Sequence, residues 1–455
     1  MSASAFLPAA VNFRPLMFKL NVSSKFVRHC RRHQRFSTSR SLNADSYEVV
    51  VVGGGAGGAS LSNIFARKSK SVAVIEPNPE HYYQPLWTLV GAGIMNFGKS
   101  ARPMAAVLPK RATWVKDKVA EFNPKDNTVT TEGGKQIKYE YLIVGPGIQL
   151  NYNQIKGLPE AFETPGVGSN YSKLYVGKTT EALQRFNGGD ALFTFPNTPI
   201  KCAGAPQKIM YLADALWTKN GVRSKSQLHY NTSLGVIFGV KKYADVLTEI
   251  TRQRNLNVNF KRNLIEVKPD TQEAVFEILD SSETPKETVT AHYDFLHVVP
   301  PMSAPDCVRN NKDIVDAAGW LDVDKDTLQH KKFANIFGIG DCTNLPTSKT
   351  AAAVACQIGI VKRNLLQVMA GDKPTSVYNG YTSCPIVTGN QKCIFAEFDY
   401  NAQPMETFPF NQAKERRSMY IMKKDIIPYV YFHVMLKGYW EGPGIIRKMF
   451  RLGMA

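Results

Sequence analysis

The run Tyr47-Glu-Val-Val-Val-Val-Gly-Gly-Gly-Ala-Gly-Gly-Ala59 joins four consecutive valines to a glycine-rich turn and then to a stretch of helical composition. Nothing else in the chain constrains the fold as strongly. Gly53, Gly55 and Gly58 stand in the dinucleotide-binding spacing. The first permits a tight turn, the second lets backbone approach a pyrophosphate, and the third lets the helix pack closely on its strand. The helix N-terminus then points its unpaired N–H groups at the phosphates. A helix is expected over Ala59 to Arg67, followed by a second apolar strand, Ser71-Val-Ala-Val-Ile75. That strand ends in Glu76, placed to accept hydrogen bonds from ribose hydroxyls. The order strand, turn, helix, strand predicts an α/β fold with a parallel sheet.

Two later segments read as parts of the same nucleotide-binding unit. Tyr141-Leu-Ile-Val144 ends in Gly145-Pro-Gly147, and Asn335-Ile-Phe-Gly-Ile-Gly-Asp341 ends in an acid. The second is similar to the Gly-Asp strand of flavin disulfide reductases, which is followed by a helix aimed at the flavin; here that helix would be Lys349 to Gln357. Between these segments, strands are expected at Ala191–Phe195, Ser233–Val240 and Asn257–Phe260, alternating with helices at Pro206–Trp217 and Tyr243–Gln253. This is a second Rossmann-like βαβ unit. Its expected phosphate turn, Gly235-Val-Ile-Phe-Gly239-Val-Lys-Lys242, lacks the Gly-x-Gly turn and puts Phe238 where backbone would have to meet phosphate. A nicotinamide nucleotide is therefore not the expected electron donor.

The net charge of +18 raises the question of nucleic acid, and its distribution answers it. Residues 1–43 hold eight Lys and Arg and no acid, leaving +10 for the rest. An Arg- and Ser-rich, acid-free N-terminus has the composition of an organellar transit peptide, with a disordered basic tail as the alternative. No aromatic-basic nucleic-acid module is visible. From Met422 onward six basic residues meet two acids, interleaved with Tyr429, Tyr431, Phe432, Tyr439, Trp440 and Phe450. The apolar run Ile426 to Leu436 is eleven residues long and contains Pro428. It is too short to span about 30 Å of hydrocarbon, but it can lie in a membrane interface, with Lys and Arg toward anionic lipid. Helices packed on the core remain the other reading.

Seven cysteines without regular spacing make neither a disulfide framework nor a zinc site, so no metal is expected. Cys202 precedes a helix opened by Pro206, whose Ile209, Leu212, Ala213, Leu216 and Trp217 share one face. With Lys201 and Lys208 nearby, a thiolate at Cys202 is favoured by the helix dipole and by positive charge. Cys384, followed by Pro385, is expected in an extended, accessible segment. Taken singly, each cysteine also fits an inert role. Cys342 and Cys356 read as packed residues, Cys393 as part of a strand-like run and Cys307 as part of a Pro-rich loop.

Longer ordered segments carry a resemblance: His81-Tyr-Tyr-Gln-Pro-Leu-Trp87 after Glu76-Pro77, Lys201-Cys-Ala-Gly-Ala-Pro-Gln-Lys208, Gly340-Asp-Cys-Thr-Asn-Leu-Pro-Thr-Ser-Lys349, Tyr381-Thr-Ser-Cys-Pro385 and Glu397-Phe-Asp-Tyr400. With these the chain resembles the mitochondrial sulfide:quinone oxidoreductases, membrane-associated members of the FAD-dependent disulfide oxidoreductases. The resemblance implies two Rossmann-like domains with a C-terminal membrane-associating region. The divisions would be a transit peptide over 1–43, an FAD-binding domain over 44–150 and 301–377, a second Rossmann-like domain over 151–300 and the C-terminal region over 378–455. It implies Cys202 and Cys384 as the redox pair. FAD would be held by Gly53, Gly54, Gly55, Ala56, Gly58, Glu76, Gln84, Val119, Gly340, Asp341, Lys349, Thr350, Ala351 and Ala352. Lys208 and Lys423 are candidates, from charge, for contacting anionic sulfur or the flavin. Hydrogen sulfide and ubiquinone would be the substrates and sulfite, glutathione or coenzyme A the sulfur acceptor, on the matrix face of the mitochondrial inner membrane. The alternative enzyme, a type II NADH:quinone oxidoreductase, would need the second glycine fingerprint.

Overall fold

The computed structural model of the chain describes residues 45–452. The leader expected over 1–43 lies outside them. Strand β1 (Asp45–Val52) ends in four residues, Val49 to Val52, that are all buried. A central parallel strand is covered on both faces, so it needs an unbroken apolar run rather than alternation. β1 pairs in parallel with β2 (Val72–Ile75) on one side and β3 (Gln136–Val144) on the other. Helix α1 (Ala56–Phe65) crosses between β1 and β2 and starts three residues earlier than the sequence suggested. Gly57 and Gly58 lie within its first turn, where tight packing on the strand outweighs their low helix propensity.

A second sheet has the order Val167–Gly168, β7 (Phe295–His297), β4 (Gly189–Phe195), β5 (Ser226–Thr232) and β6 (Asn257–Asn259), parallel throughout. Helix α2 (Ala205–Lys219) links β4 to β5, and α3 (Lys241–Gln253) links β5 to β6. The expected apolar face of α2 is inside, with Ile209, Leu212, Ala213 and Trp217 all buried. One expectation fails: no strand covers Ser233–Val240. The strand is the more polar Ser226-Gln-Leu-His-Tyr-Asn-Thr232, and Ser233 to Val240 is the loop after it. The βα turn after the central strand β4, where a second glycine fingerprint would sit, is therefore the segment from Pro196 to Gly204 that carries Cys202.

The chain then returns to the first sheet through β8 (Ile336–Gly338), which pairs with the last residues of β3. Helix α4 (Ala351–Met369) follows, and β9 (Thr382–Gly389) and β10 (Lys392–Phe398) form an antiparallel hairpin. The hairpin's Ile386, Ile394 and Ala396 share a core with α2 and the second sheet, while its Val387 and Phe395 join the core of the first. Beyond it, Arg417 to Met435 is helical with two π-type turns, and a short helix spans Gly444–Phe450. Met419, Tyr431, Phe432, Met435 and Leu436 face the core. Ile421, Ile426, Tyr429, Tyr439, Ile445, Met449 and Leu452 are exposed, so the segment is core on one side and apolar surface on the other. No helix among the described residues is long and apolar enough to cross a membrane.

Candidate active site

The two cysteines singled out by sequence meet. Cys202 Sγ lies 3.6 Å from Cys384 Sγ although 182 residues separate them. Cys202 comes from the turn before α2, and Cys384 from β9. Cys202 has a φ of +53°, the left-handed region that costs a non-glycine residue about 1–2 kcal/mol. The turn is over-determined: Cys202 N–H donates to Lys349 O at 2.7 Å, and Ala205 N–H donates to Cys202 O at 2.8 Å. Gly204 is needed for close approach, because a methyl group there would overlap the sulfur of Cys384. Cys384 is in extended backbone as expected, but it is 2% exposed rather than accessible. Cys202 keeps some accessible surface.

The electrostatics separate the two sulfurs. A hydrogen bond from Cys384 holds the Cys202 thiol well below its ordinary range; burial opposes this, and the charges of Lys208 and Lys423 reinforce it. Cys384 is pushed the other way by the same hydrogen bond and by burial. Cys202 is thus the thiolate of the pair. Lys208 Nζ donates to Cys202 Sγ at 3.4 Å. Burial is the largest influence and disfavours its charge, but the sulfurs of Cys202, Cys384 and Cys393 together outweigh burial and raise its pKa. Lys423 is also buried, not solvated, and donates to Pro85 O at 2.7 Å; burial, then repulsion from Lys208, lowers its pKa to about 8. Among the described residues the other cysteines lack this setting. Burial drives Cys342, Cys356 and Cys393 up to about 12 and also raises Cys307, which lies on a single helical turn, Asp306–Arg309.

The glycine turn fits a dinucleotide on its own geometry. Gly53 has φ +95°, and a methyl group at Gly58 would overlap the Gly53 carbonyl oxygen. A methyl at Gly55 would meet nothing within 4 Å, so backbone is bare to an open space there. The N-terminus of α1 beginning at Ala56 has neither a side-chain cap nor an acid in its first turn, which leaves its N–H groups for phosphate. Glu76 is buried beside the turn, with Oε2 accepting from Gly54 N–H at 2.7 Å and Oε1 from Asn78 N–H at 2.7 Å. Oε1 also accepts from Asn78 Nδ2 at 2.7 Å, and the lone pair left on Oε2 suits a ribose hydroxyl. Val119 is buried at the start of the strand Val119–Asn123 and makes no hydrogen bond to this turn among the described residues.

A second part of the cradle forms around Asp341. A cavity is lined by Gly340, Asp341, Lys349, Thr350 and Gln357, among others. Lys349 lies in an extended bridge paired with Lys201, and α4 starts only at Ala351, with Ala352 in its first turn and Thr350 capping it by accepting from Ala353 N–H. Lys201, Lys349 and Asp341 are each partly exposed. Burial raises Asp341, against the pull of Lys349 and Lys201, and lowers Lys201 to about 8. Lys201 Nζ donates to Gln84 Oε1 at 2.6 Å, which ties exposed Gln84 to the cysteine turn.

One buried residue was missed by the sequence reading. His81 is 2% exposed, and burial lowers its pKa to about 4. The neutral ring donates from Nδ1 to Gly54 O at 2.9 Å and accepts at Nε2 from Tyr431 Oη at 2.7 Å. Its place in His81-Tyr-Tyr-Gln was the available signal, but only as part of a family pattern.

Residues 47–182 match the pyridine nucleotide-disulphide oxidoreductase family. A mitochondrial sulfide:quinone oxidoreductase of Mus musculus is 58% identical over 410 residues, covering 90% of each chain. The chain belongs to the sulfide:quinone oxidoreductase family. A mitochondrial family member from Dictyostelium discoideum is 45% identical over 87% of each chain. The solved structure of the Aquifex aeolicus sulfide:quinone oxidoreductase shares the fold, with a TM-score of 0.74 at 19% identity, covering 90% of this chain and 96% of that one. A flavin cofactor follows from membership of this family.

Proposed function

We propose that the chain oxidises hydrogen sulfide and reduces a quinone, using Cys202 and Cys384 as its redox pair. The observation that carries the reading is the 3.6 Å approach of the two sulfurs, one of them beside buried Lys208. In the oxidised pair, hydrosulfide attacks Cys384 Sγ, the S–S bond breaks, and Cys202 departs as the thiolate that Lys208 and Lys423 stabilise. The lower thiol pKa makes Cys202 the better leaving group. Cys384 keeps the incoming sulfur as a persulfide, and a small nucleophile such as sulfite, glutathione or coenzyme A removes it. The flavin is FAD, held by the glycine turn, Glu76 and the Asp341 cavity; when bound it supplies a two-electron acceptor for the Cys202 thiolate and a donor for ubiquinone.

The place of action is the mitochondrial inner membrane, on the matrix side and bound to one face. Ile445, Met449 and Leu452, 77, 71 and 86% exposed, would enter the headgroup boundary while Lys448 meets anionic lipid. Replacing the three by serine should weaken binding to anionic liposomes by about 100-fold; unchanged sedimentation with liposomes would remove this surface from the reading. For the reaction, anaerobic mixing of the flavoprotein with sulfide should bleach the flavin band, and NADH should not. Bleaching by NADH alone would make the chain an NADH:quinone oxidoreductase.

A further inference from the structure

If Cys384 holds the sulfur that leaves, its burial poses a problem of access. A sulfur 2% exposed cannot be reached by a tripeptide thiol unless something covering it moves. Phe238 borders this space. The position of a methyl group on Gly204, which would overlap Cys384 Sγ, lies 3.3 Å from Phe238 Cε2 and 3.7 Å from Ile386 Cγ1. Phe238 and Cys384 therefore flank the same small space at Gly204. The ring is 6% exposed and packs edge-on against Tyr243 and Phe398, at centroid distances of 6.2 and 5.8 Å.

The loop that carries this ring is a surface strap. Gly235 and Gly239 bracket Val236-Ile-Phe238, and both glycines and Val236 are exposed while Ile237 and Phe238 point inward. The strap is pinned outside the bracket, by Ser233 N–H to Phe195 O at 3.1 Å and by Ala244 N–H to Val240 O at 2.9 Å. Within it, Gln207 Nε2 donates to Ile237 O at 3.0 Å, from the helix that follows Cys202. A methyl group at Gly239 would meet nothing within 4 Å, so this end has room to pivot. The sequence motif Gly235 to Gly239 thus has a place in the structure: its Phe238 borders the space beside Cys384.

We propose that Phe238 is the size filter through which the sulfur acceptor reaches Cys384, carried on the strap Gly235–Gly239. The inference rests on the sulfur-transfer reading above. In the step it controls, an acceptor thiolate or sulfite attacks the outer sulfur of the Cys384 persulfide. A bond forms between the acceptor and that sulfur, the bond to Sγ breaks, and its electron pair stays on Cys384 as thiolate beside Lys208. A small anion passes the ring edge, whereas a peptide thiol requires the ring to swing away.

Two measurements test this, one of them independent of turnover. Sulfide-dependent quinone reduction by the flavoprotein is followed with sulfite and with glutathione as acceptors. Phe238→Ala should raise the glutathione-to-sulfite ratio of kcat/KM about 10-fold, and Phe238→Trp should lower it. In a Cys202→Ser background, alkylation of Cys384 by N-ethylmaleimide, mapped by peptide mass spectrometry, should accelerate about 10-fold in Phe238→Ala, while methylthiolation by the smaller methyl methanethiosulfonate, which forms a mixed disulfide and releases methanesulfinate, changes little. Phe238→Leu carries both tests if the alanine variant loses its flavin. An unchanged acceptor ratio together with unchanged alkylation in every folded variant overturns the filter. A changed alkylation rate in a protein whose native form shows no sulfide-dependent quinone reduction keeps the filter and rejects the sulfur-transfer reading.

Discussion

The chain contains two turns at the same topological place, each joining a central parallel strand of its sheet to the helix that follows, and they do opposite things. From Gly53 to Gly58 the turn works by lacking side chains: a methyl at Gly58 would strike Gly53 O, and Gly55 leaves backbone bare. From Pro196 to Gly204 the turn works by presenting one, since a left-handed Cys202 aims its sulfur at Cys384 over a single glycine. The difference teaches that the Rossmann turn is a positioning device first. It sets whatever it carries, N–H groups or a thiolate, at the head of a helix.

The sharpest break of this comparison removes the sulfurs. Cys202→Ser and Cys384→Ser should each lower sulfide-dependent quinone reduction by at least about 1000-fold while the visible spectrum still reports bound flavin; full turnover in either would end the assignment of the second turn. Next comes the first turn, where Gly58→Ala should yield protein without flavin and lower the melting temperature, since overpacking costs about 1–3 kcal/mol. Gly55→Ala, whose methyl meets open space, should fold normally and differ only in flavin affinity. Equal melting temperatures for the two variants would dissolve the distinction between packing glycine and approach glycine.

Smaller effects sharpen the second turn. Gly204→Ala should drive the sulfurs apart and slow turnover about 100-fold with flavin content intact, as expected when reacting atoms are displaced by about 1 Å. Lys208→Met keeps the volume and deletes the charge. Because the ammonium favours the Cys202 thiolate, its loss moves that pKa upward, so iodoacetamide alkylation of Cys202 at pH 7 should fall about 10-fold and recover as pH rises. An unshifted alkylation profile would remove Lys208 from the causes and leave the hydrogen bond between the cysteines, with Lys423, holding the pKa low.

The first turn was fully legible because its signal is local: four valines, the glycine spacing and Glu76 lie within thirty residues of one another. The second was not. Gly235 and Gly239 drew the reading toward Leu-Gly-Val-Ile-Phe, a better strand by propensity than Ser-Gln-Leu-His-Tyr-Asn-Thr. Sheet pairing with β4 and β6 overrode propensity and made Ser226–Thr232 the strand. The meeting of Cys202 with Cys384 depends on how a hairpin docks against two sheets, which no local pattern encodes. Only the family resemblance placed them together. Burial of Lys208 and Lys423 was hidden for the same reason, since a lysine in sequence looks solvated until its neighbours are known.

His81 has a bearing on how this protein can be handled. One ring nitrogen is bonded to the glycine turn at Gly54 and the other to Tyr431, in the segment whose far side is apolar surface. That segment is therefore no detachable appendix. Trimming the chain ahead of Tyr431 would strip a buried imidazole of its hydroxyl donor and unseat the glycine turn to which its other nitrogen is bonded. The exposed apolar residues of that segment are therefore to be changed one at a time, with the helix left in place.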